Sequence, residues 1–123
     1  MNQDKFNKFI KVLFIHQIHN KLYHWNTTSY ARHKATDGFD DTLQSLLDKF
    51  VEVFIGRYKI KPEMSDIKID KDYLTDTGIV TLYEQVKVVL QELSKDLNDT
   101  DLLNIRDELL GEINKTLYLF RLN

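Results

Sequence analysis

Residues 24 to 39 read HWNTTSYARHKATDGF. The stretch holds two of the chain's four histidines, His24 and His33, with Trp25 beside the first and Asp37 four residues after the second. Along the same helical phase Gln44, Asp48 and Glu52 follow at spacings of seven, four and four. At 3.6 residues per turn, His33, Asp37, Gln44, Asp48 and Glu52 fall within an arc of about 100°, flanked by Asp40 and Asp41. Imidazole and carboxylate without thiolate is a donor set for iron, manganese or zinc. Asp48 and Glu52 lie one turn apart, so their carboxylates can converge on one cation. A mixed site with coordination positions to spare permits redox chemistry on iron. The spacing does not select the metal, and the same residues also fit a solvated helix face.

Helices must position these residues. Four glycines and one proline are few breakers for 123 residues, and the long mixed runs between them read as helix. Helix A is expected over about 4–26. Its apolar residues (Phe6, Phe9, Ile10, Leu13, Ile15, Ile18, Leu22, Trp25) spread over more than one face, so it expects partners on both sides. Thr27-Thr28-Ser29 is cap-rich and separates it from helix B. Helix B is expected over about 30–57, with Ala35, Phe39, Leu43, Leu46, Phe50, Val53 and Phe54 as its core face. Gly56 and Pro62 act as stop signals. The polar stripe lies roughly 150° from that core face. Val51 and Ile55 sit inside the polar arc, which suggests that the outer side of helices A and B is covered by a second copy. Carboxylates and a histidine buried there would need partners or a metal.

Residues 58–77 are polar and contain Pro62, Asp66, Asp70 and Asp72. About twenty residues is long for a loop in a compact domain, and a crossover between parallel neighbouring helices would explain it. Extended, it reaches on the order of 60 Å, ample to span a helix. Helix C is expected over about 79–97 and helix D over about 102–122. The fold class expected is all-α, a single ferritin-like four-helix bundle with one long crossover between helices B and C.

The segment from His24 to Arg57 resembles the Dps-type mini-ferritins, whose signature is a His-Trp pair, a second histidine, an aspartate four residues on, and D-x-x-x-E eleven residues after that aspartate. Here these read His24-Trp25, His33, Asp37, and Asp48 with Glu52; Asp37-Gly38-Phe39 also looks like the family's segment. The interval from His24 to His33 is about three residues shorter than in that family, so the turn between the helices differs. The same run also looks like ferritin-like proteins of large DNA viruses. The resemblance implies an intersubunit ferroxidase site, with His24, His33 and Asp37 from one subunit and Asp48 and Glu52 from its two-fold mate. It implies one or two irons, with zinc or manganese as substitutes, and Trp25 packed nearby. His24 and Glu52 would be the strongest ligands, Asp48 would share the metal, and His33 and Asp37 would hold a second metal or a water. The implied function is oxidation of Fe(II) by peroxide or dioxygen, for iron storage or protection from oxidative damage. The implied partner is self, as a homodimer through the helix A–B face or a twelve-subunit shell. The rival expectation is a non-enzymatic assembly protein with a degenerate site.

Other features narrow the field. The chain has 42% hydrophobic and 29% charged residues, ordinary for a globular protein. It has no cysteine, which excludes disulfides, Fe–S clusters and thiolate zinc sites. Net charge is −2, so DNA binding is not expected; Lys5, Lys8 and Lys11 read as a solvated stripe. No segment is long and apolar enough for a membrane span, and none reads as a secretory signal; a cytoplasmic location is expected. No glutamate is followed three residues later by histidine, so an internal di-iron centre built on Glu-x-x-His is not expected. Glu108 and Glu112 read as a surface pair. His16 and His19 could bind metal, but read better as satisfied interface or surface histidines. Gly38 inside helix B points to close helix approach.

Overall fold

Three of the four long helices begin where a polar side chain satisfies free backbone N–H groups. In a computed structural model that describes residues 1–122, Asn2 accepts from the Lys5 N–H and starts α1 (Gln3–Asn26). Ser29 accepts from the Arg32 N–H and starts α2 (Tyr30–Tyr58). Thr75 accepts from the Gly78 N–H and starts α3 (Asp76–Glu92). The fourth helix, α4 (Thr100–Leu119), follows Asp99. Short 3-10 turns at Lys71–Leu74 and Leu93–Lys95 complete the secondary structure. The chain is all-helical, with no strand among the described residues. The bounds of the last two helices differ from expectation, and α4 runs Thr100–Leu119 rather than about 102–122. Thr75 starts α3 three residues early, and its end unwinds into a 3-10 turn before Leu97. The stop of α2 is Lys59, which takes a left-handed conformation at φ 56°.

The crossover explains the topology. It climbs α1 step by step: Gln3 Nε2 donates to the Lys61 carbonyl (2.8 Å), and Asn7 Oδ1 accepts from the Glu63 N–H (2.8 Å). Higher up, Lys11 Nζ donates to Ser65 Oγ (3.3 Å) and His19 Nε2 accepts from the Asp70 N–H (2.9 Å). It therefore delivers α3 to the end where α1 stops, and Tyr23 OH donates to Asp76 Oδ1 there (2.7 Å). At the opposite end, Lys5 Nζ pairs with Asp96 Oδ1 (2.7 Å), just beyond α3. Helices α1 and α3 are thus antiparallel. Arg57 beside Asp101 (3.2 Å) starts α4 at the foot of α2, so those two are antiparallel as well. Each of α1 and α4 packs against both α2 and α3. The expected parallel neighbours are corrected on this point: α2 and α3 run parallel but face each other across the diagonal. Antiparallel neighbours align their dipoles favourably, and only the diagonal remains for the parallel pair.

The core face expected for α2 is buried at Ala35, Phe39, Leu43, Leu46, Phe50 and Phe54, with Val53 half-buried against it. Facing them are Phe6, Phe9, Ile10 and Leu13 of α1, Ile79, Leu82, Val86 and Leu90 of α3, and Leu102, Ile105, Leu109 and Ile113 of α4. No helix among the described residues is long and apolar enough to cross a membrane.

The expectation for Gly38 is corrected: a Cβ built there meets nothing within 4 Å. Close approach occurs instead at Gly78, where a Cβ would lie 1.7 Å from the Asp72 carbonyl oxygen and 2.8 Å from Thr75 Oγ1. The 3-10 turn rests on the bare first turn of α3. Gly78→Ala is expected to cost about 2–3 kcal/mol, because backbone must shift to admit the methyl group. Urea unfolding checks this; an unchanged midpoint would mean the turn does not rest on α3.

Candidate metal-binding face

His24 sits in the last turn of α1 and His33 in the first turn of α2, on either side of a three-residue turn. The short turn presses their rings into a stack, with centroids 4.0 Å apart and planes 13° from parallel. Each ring donates from Nδ1 to the other's backbone carbonyl, His24 to His33 O at 2.8 Å and His33 to His24 O at 3.0 Å. Thr36 Oγ1 lies 2.9 Å from the same His24 nitrogen, and its own proton goes to the Arg32 and His33 carbonyls. A carbonyl can only accept, so both neutral rings are fixed with the proton on Nδ1 and a lone pair on Nε2. Donation of the second ring N–H to a carbonyl is the usual way a protein orients a metal-binding histidine. His24 is mostly buried and His33 is exposed. The shortened interval thus brings the two histidines together.

The carboxylates are placed differently. Asp37, Gln44, Asp48 and Glu52 are all exposed along the outer side of α2. Among the described residues, no three His, Asp or Glu side chains of one chain gather as a metal-binding group. Asp37, Asp48 and Glu52 therefore do not join His24 and His33 in a closed site within one chain. Asp40, expected to flank the stripe, turns inward and is 8% exposed. Its Oδ2 lies 3.0 Å from Lys21 Nζ, and its Oδ1 is buried without a partner. The hydrogen bond to Asp40 holds the Lys21 ammonium above its ordinary pKa, aided by the charges of Asp40, Asp37 and Asp41. Trp25 is 68% exposed, with Lys21 Nζ over its ring at 5.9 Å from the centroid.

Beside the stripe, α1 and α2 form an open groove of about 730 Å³, lined by Ile10, Phe14, Leu47, Asp48, Val51 and Pro62 among others. This is the second side of α1 that its sequence left apolar.

The reading of His16 and His19 as interface or surface residues is corrected: both are 0% exposed. His19 is fully satisfied, donating from Nδ1 to the Ile15 carbonyl (2.7 Å) and accepting at Nε2 from Asp70. Neither nitrogen remains for a metal. His16 is enclosed by Phe39 and the edge of Tyr83, at 4.6 and 4.2 Å between centroids, and neither of its nitrogens has a partner. Burial, then the charge of His19, pushes its pKa down to about 3. Nearby, Asn20 Nδ2 donates to the Thr36 carbonyl (2.9 Å) and its Oδ1 accepts from Tyr83 OH, joining three helices at one buried point. Burial raises the Tyr83 pKa well above its ordinary value. The signal for this polar core was in the sequence: Phe6, Phe9, Leu13, His16, Asn20 and Tyr23 recur at intervals of three and four. Of the expected surface pair, Glu108 is exposed and Glu112 half-buried.

A family model described as Family of unknown function (DUF5856) matches residues 24–120, a span that holds all five candidate ligands. A protein of Enterobacteria phage T4, "Uncharacterized 14.6 kDa protein in mobD-ri intergenic region", is 29% identical over 121 residues, covering 96% of this chain and 89% of its own length. No solved structure matches the chain.

Proposed function

The chain belongs to that family of unknown function, DUF5856, and from this premise we propose that it is a ferritin-like protein that binds and oxidises Fe(II) between two copies of itself. The observation that carries the reading is the reciprocal lock of His24 and His33, which leaves each ring its Nε2 lone pair. The connectivity supports the ferritin-like assignment, since two antiparallel pairs joined by one long crossover are built this way. The groove beside Asp48 supports self-association, because its apolar lining is gained by covering it.

In this reading Fe(II) is the substrate. His24, His33 and Asp37 bind it from one copy, and Asp48 and Glu52 reach it from the second. Nitrogen and carboxylate donors suit iron, with manganese or zinc as substitutes, and negative carboxylates favour the ferric product. Two Fe(II) ions give two electrons to one peroxide, which takes up two protons and leaves as water. Dioxygen is the alternative oxidant. Iron storage or protection from oxidative damage follows from the same chemistry.

The second reading is an assembly protein whose stripe lines an interface without chemistry. The same groove supports it, since apolar contact needs no metal.

An anaerobic Fe(II) titration followed by peroxide, run on wild type and Glu52→Ala, separates the two. Saturable binding and oxidation faster than in buffer, both lost in the variant, are expected. The variant should keep its helical content, because Glu52 is exposed. Unchanged Fe(II) affinity in Glu52→Ala would sink the site assignment. Self-association in wild type with no iron binding would leave the assembly reading.

A further inference from the structure

On the side of the bundle away from the α1–α2 groove, α3 and α4 enclose a depression of about 290 Å³. Three cations line it: Arg32 reaching over from the first turn of α2, Lys87 of α3, and Arg121 just beyond α4. Among the described residues none of the three makes an ion pair. Glu84 is the one carboxylate in the lining.

Arg32 is built in. Its Nε donates to the Phe120 carbonyl (3.3 Å), and its Nη1 donates to the Asp76 carbonyl (2.8 Å) and to Tyr23 OH (3.1 Å). Its guanidinium carbon lies 4.8 Å from the centre of the Phe120 ring. Every one of these partners is neutral, and the Asp76 carboxylate is engaged by Tyr23 instead. The guanidinium is therefore oriented before any ligand arrives, it makes no direct ion pair among the described residues, and Nη2 has no partner among them. A fixed planar fork with a free edge and no direct ion pair fits the oxygens of a phosphate. Lys87 and Arg121 add charge that can follow the ligand, Asn114 offers an amide, and Phe120 supplies an apolar wall.

We propose that this pocket binds the phosphate group of a small phosphorylated molecule. The volume is near the low end for ligand pockets, which run roughly 300–1,000 Å³. That admits a phosphate with a compact body and not an extended chain. Glu84 opposes the anion and sets how tightly it is held. The site lies off the α1–α2 face, so it does not depend on the iron chemistry proposed above.

Calorimetric titration of the full chain at low salt, with inorganic phosphate and with adenosine 5′-monophosphate, tests it. Saturable binding of one or both probes is expected. Saturation by the nucleotide alone identifies an organic phosphate; equal affinity for both identifies the phosphate group itself. Lys87→Gln combined with Arg121→Gln should weaken binding at least tenfold, and Glu84→Gln should tighten it severalfold. Arg32 is left intact because it ties α2 to the ends of α3 and α4; circular dichroism confirms that the variants fold. The proposal is overturned if neither probe saturates below about 10 mM, or if the charge variants leave affinity unchanged. Binding confined to long single-stranded DNA, with a steep salt dependence, would overturn it too.

Discussion

Replacing Phe54 by alanine is expected to remove about 3–5 kcal/mol of stability. The ring is fully buried near the foot of α2 and stacks on Phe6 at 3.9 Å between centroids and 16° between planes. Tyr58 tilts against it at 4.8 Å, and Phe50 lies on the same face. Truncation loses the transferred apolar area, the aromatic pairing and the contacts around a cavity that the surrounding helices cannot close. Domains of this kind have only about 5–15 kcal/mol in total, so the midpoint of thermal unfolding should fall on the order of 10–20 °C. Urea unfolding followed by circular dichroism measures the loss directly. A change under about 1 kcal/mol would mean that α1 is not seated on α2 at this end.

The second large effect is a loss of stability in acid that a single residue controls. His16 is neutral in the fold, with its pKa pushed from 6.5 down to about 3. In the unfolded chain it regains its ordinary value, so below about pH 6.5 the unfolded state binds a proton that the native state refuses. From this group alone stability falls by about 1.4 kcal/mol for each pH unit, until the native ring also titrates near pH 3. The full loss is roughly 4–5 kcal/mol. No carboxylate relieves it: Phe39 of α2 and Tyr83 of α3 face the ring, and the neighbouring His19 opposes its charge. His16→Leu should flatten the stability profile between pH 6 and 4. It should also stabilise the fold at neutral pH, because two buried nitrogens without partners disappear. Urea midpoints across that range, compared between wild type and variant, isolate the residue from the carboxylates, which titrate in both. An equal slope in the two proteins would show that His16 finds a proton-stabilising partner after all.

His16 also marks where the sequence was hard to read. The apolar spacing of α2 was unambiguous, and Phe39, Leu43, Phe50 and Phe54 lie where period and chemistry agree. In α1 they disagree. His16, Asn20 and Tyr23 continue the core register of Phe6, Phe9 and Leu13, yet two of the three are polar. Judged by residue type, His16 and His19 belong outside; judged by phase, they belong inside, and phase prevailed. The crossover was visible from its length. Its partner helix was not, because pairwise hydrogen bonds to Gln3, Asn7, Lys11 and His19 guide its path, and spacing does not encode them. Of the candidate site, the outward stripe of Asp37, Asp48 and Glu52 could be read from spacing, whereas the shortened interval left the joint geometry of His24 and His33 open. The tautomer lock depends on backbone carbonyl directions, which spacing does not encode. Arg32 was invisible for a similar reason, since its neighbours Lys87 and Arg121 lie far away in the chain.

The crossover is attached to α1 by a few polar tethers and light apolar contact at Ile60 and Pro62 through its lower part, and Glu63, Met64, Ser65, Asp66, Lys68 and Ile69 are exposed. A protease nick there would sever no helix. It would leave two antiparallel hairpins, α1–α2 and α3–α4, each with half of the apolar interior, and the product would be a heterodimer of fragments. In the intact chain the crossover keeps each hairpin at an effective concentration on the order of millimolar toward the other. The protein is covalently one molecule and energetically an association held on a leash, and doubling the length of that leash should weaken it by only about 0.6 kcal/mol.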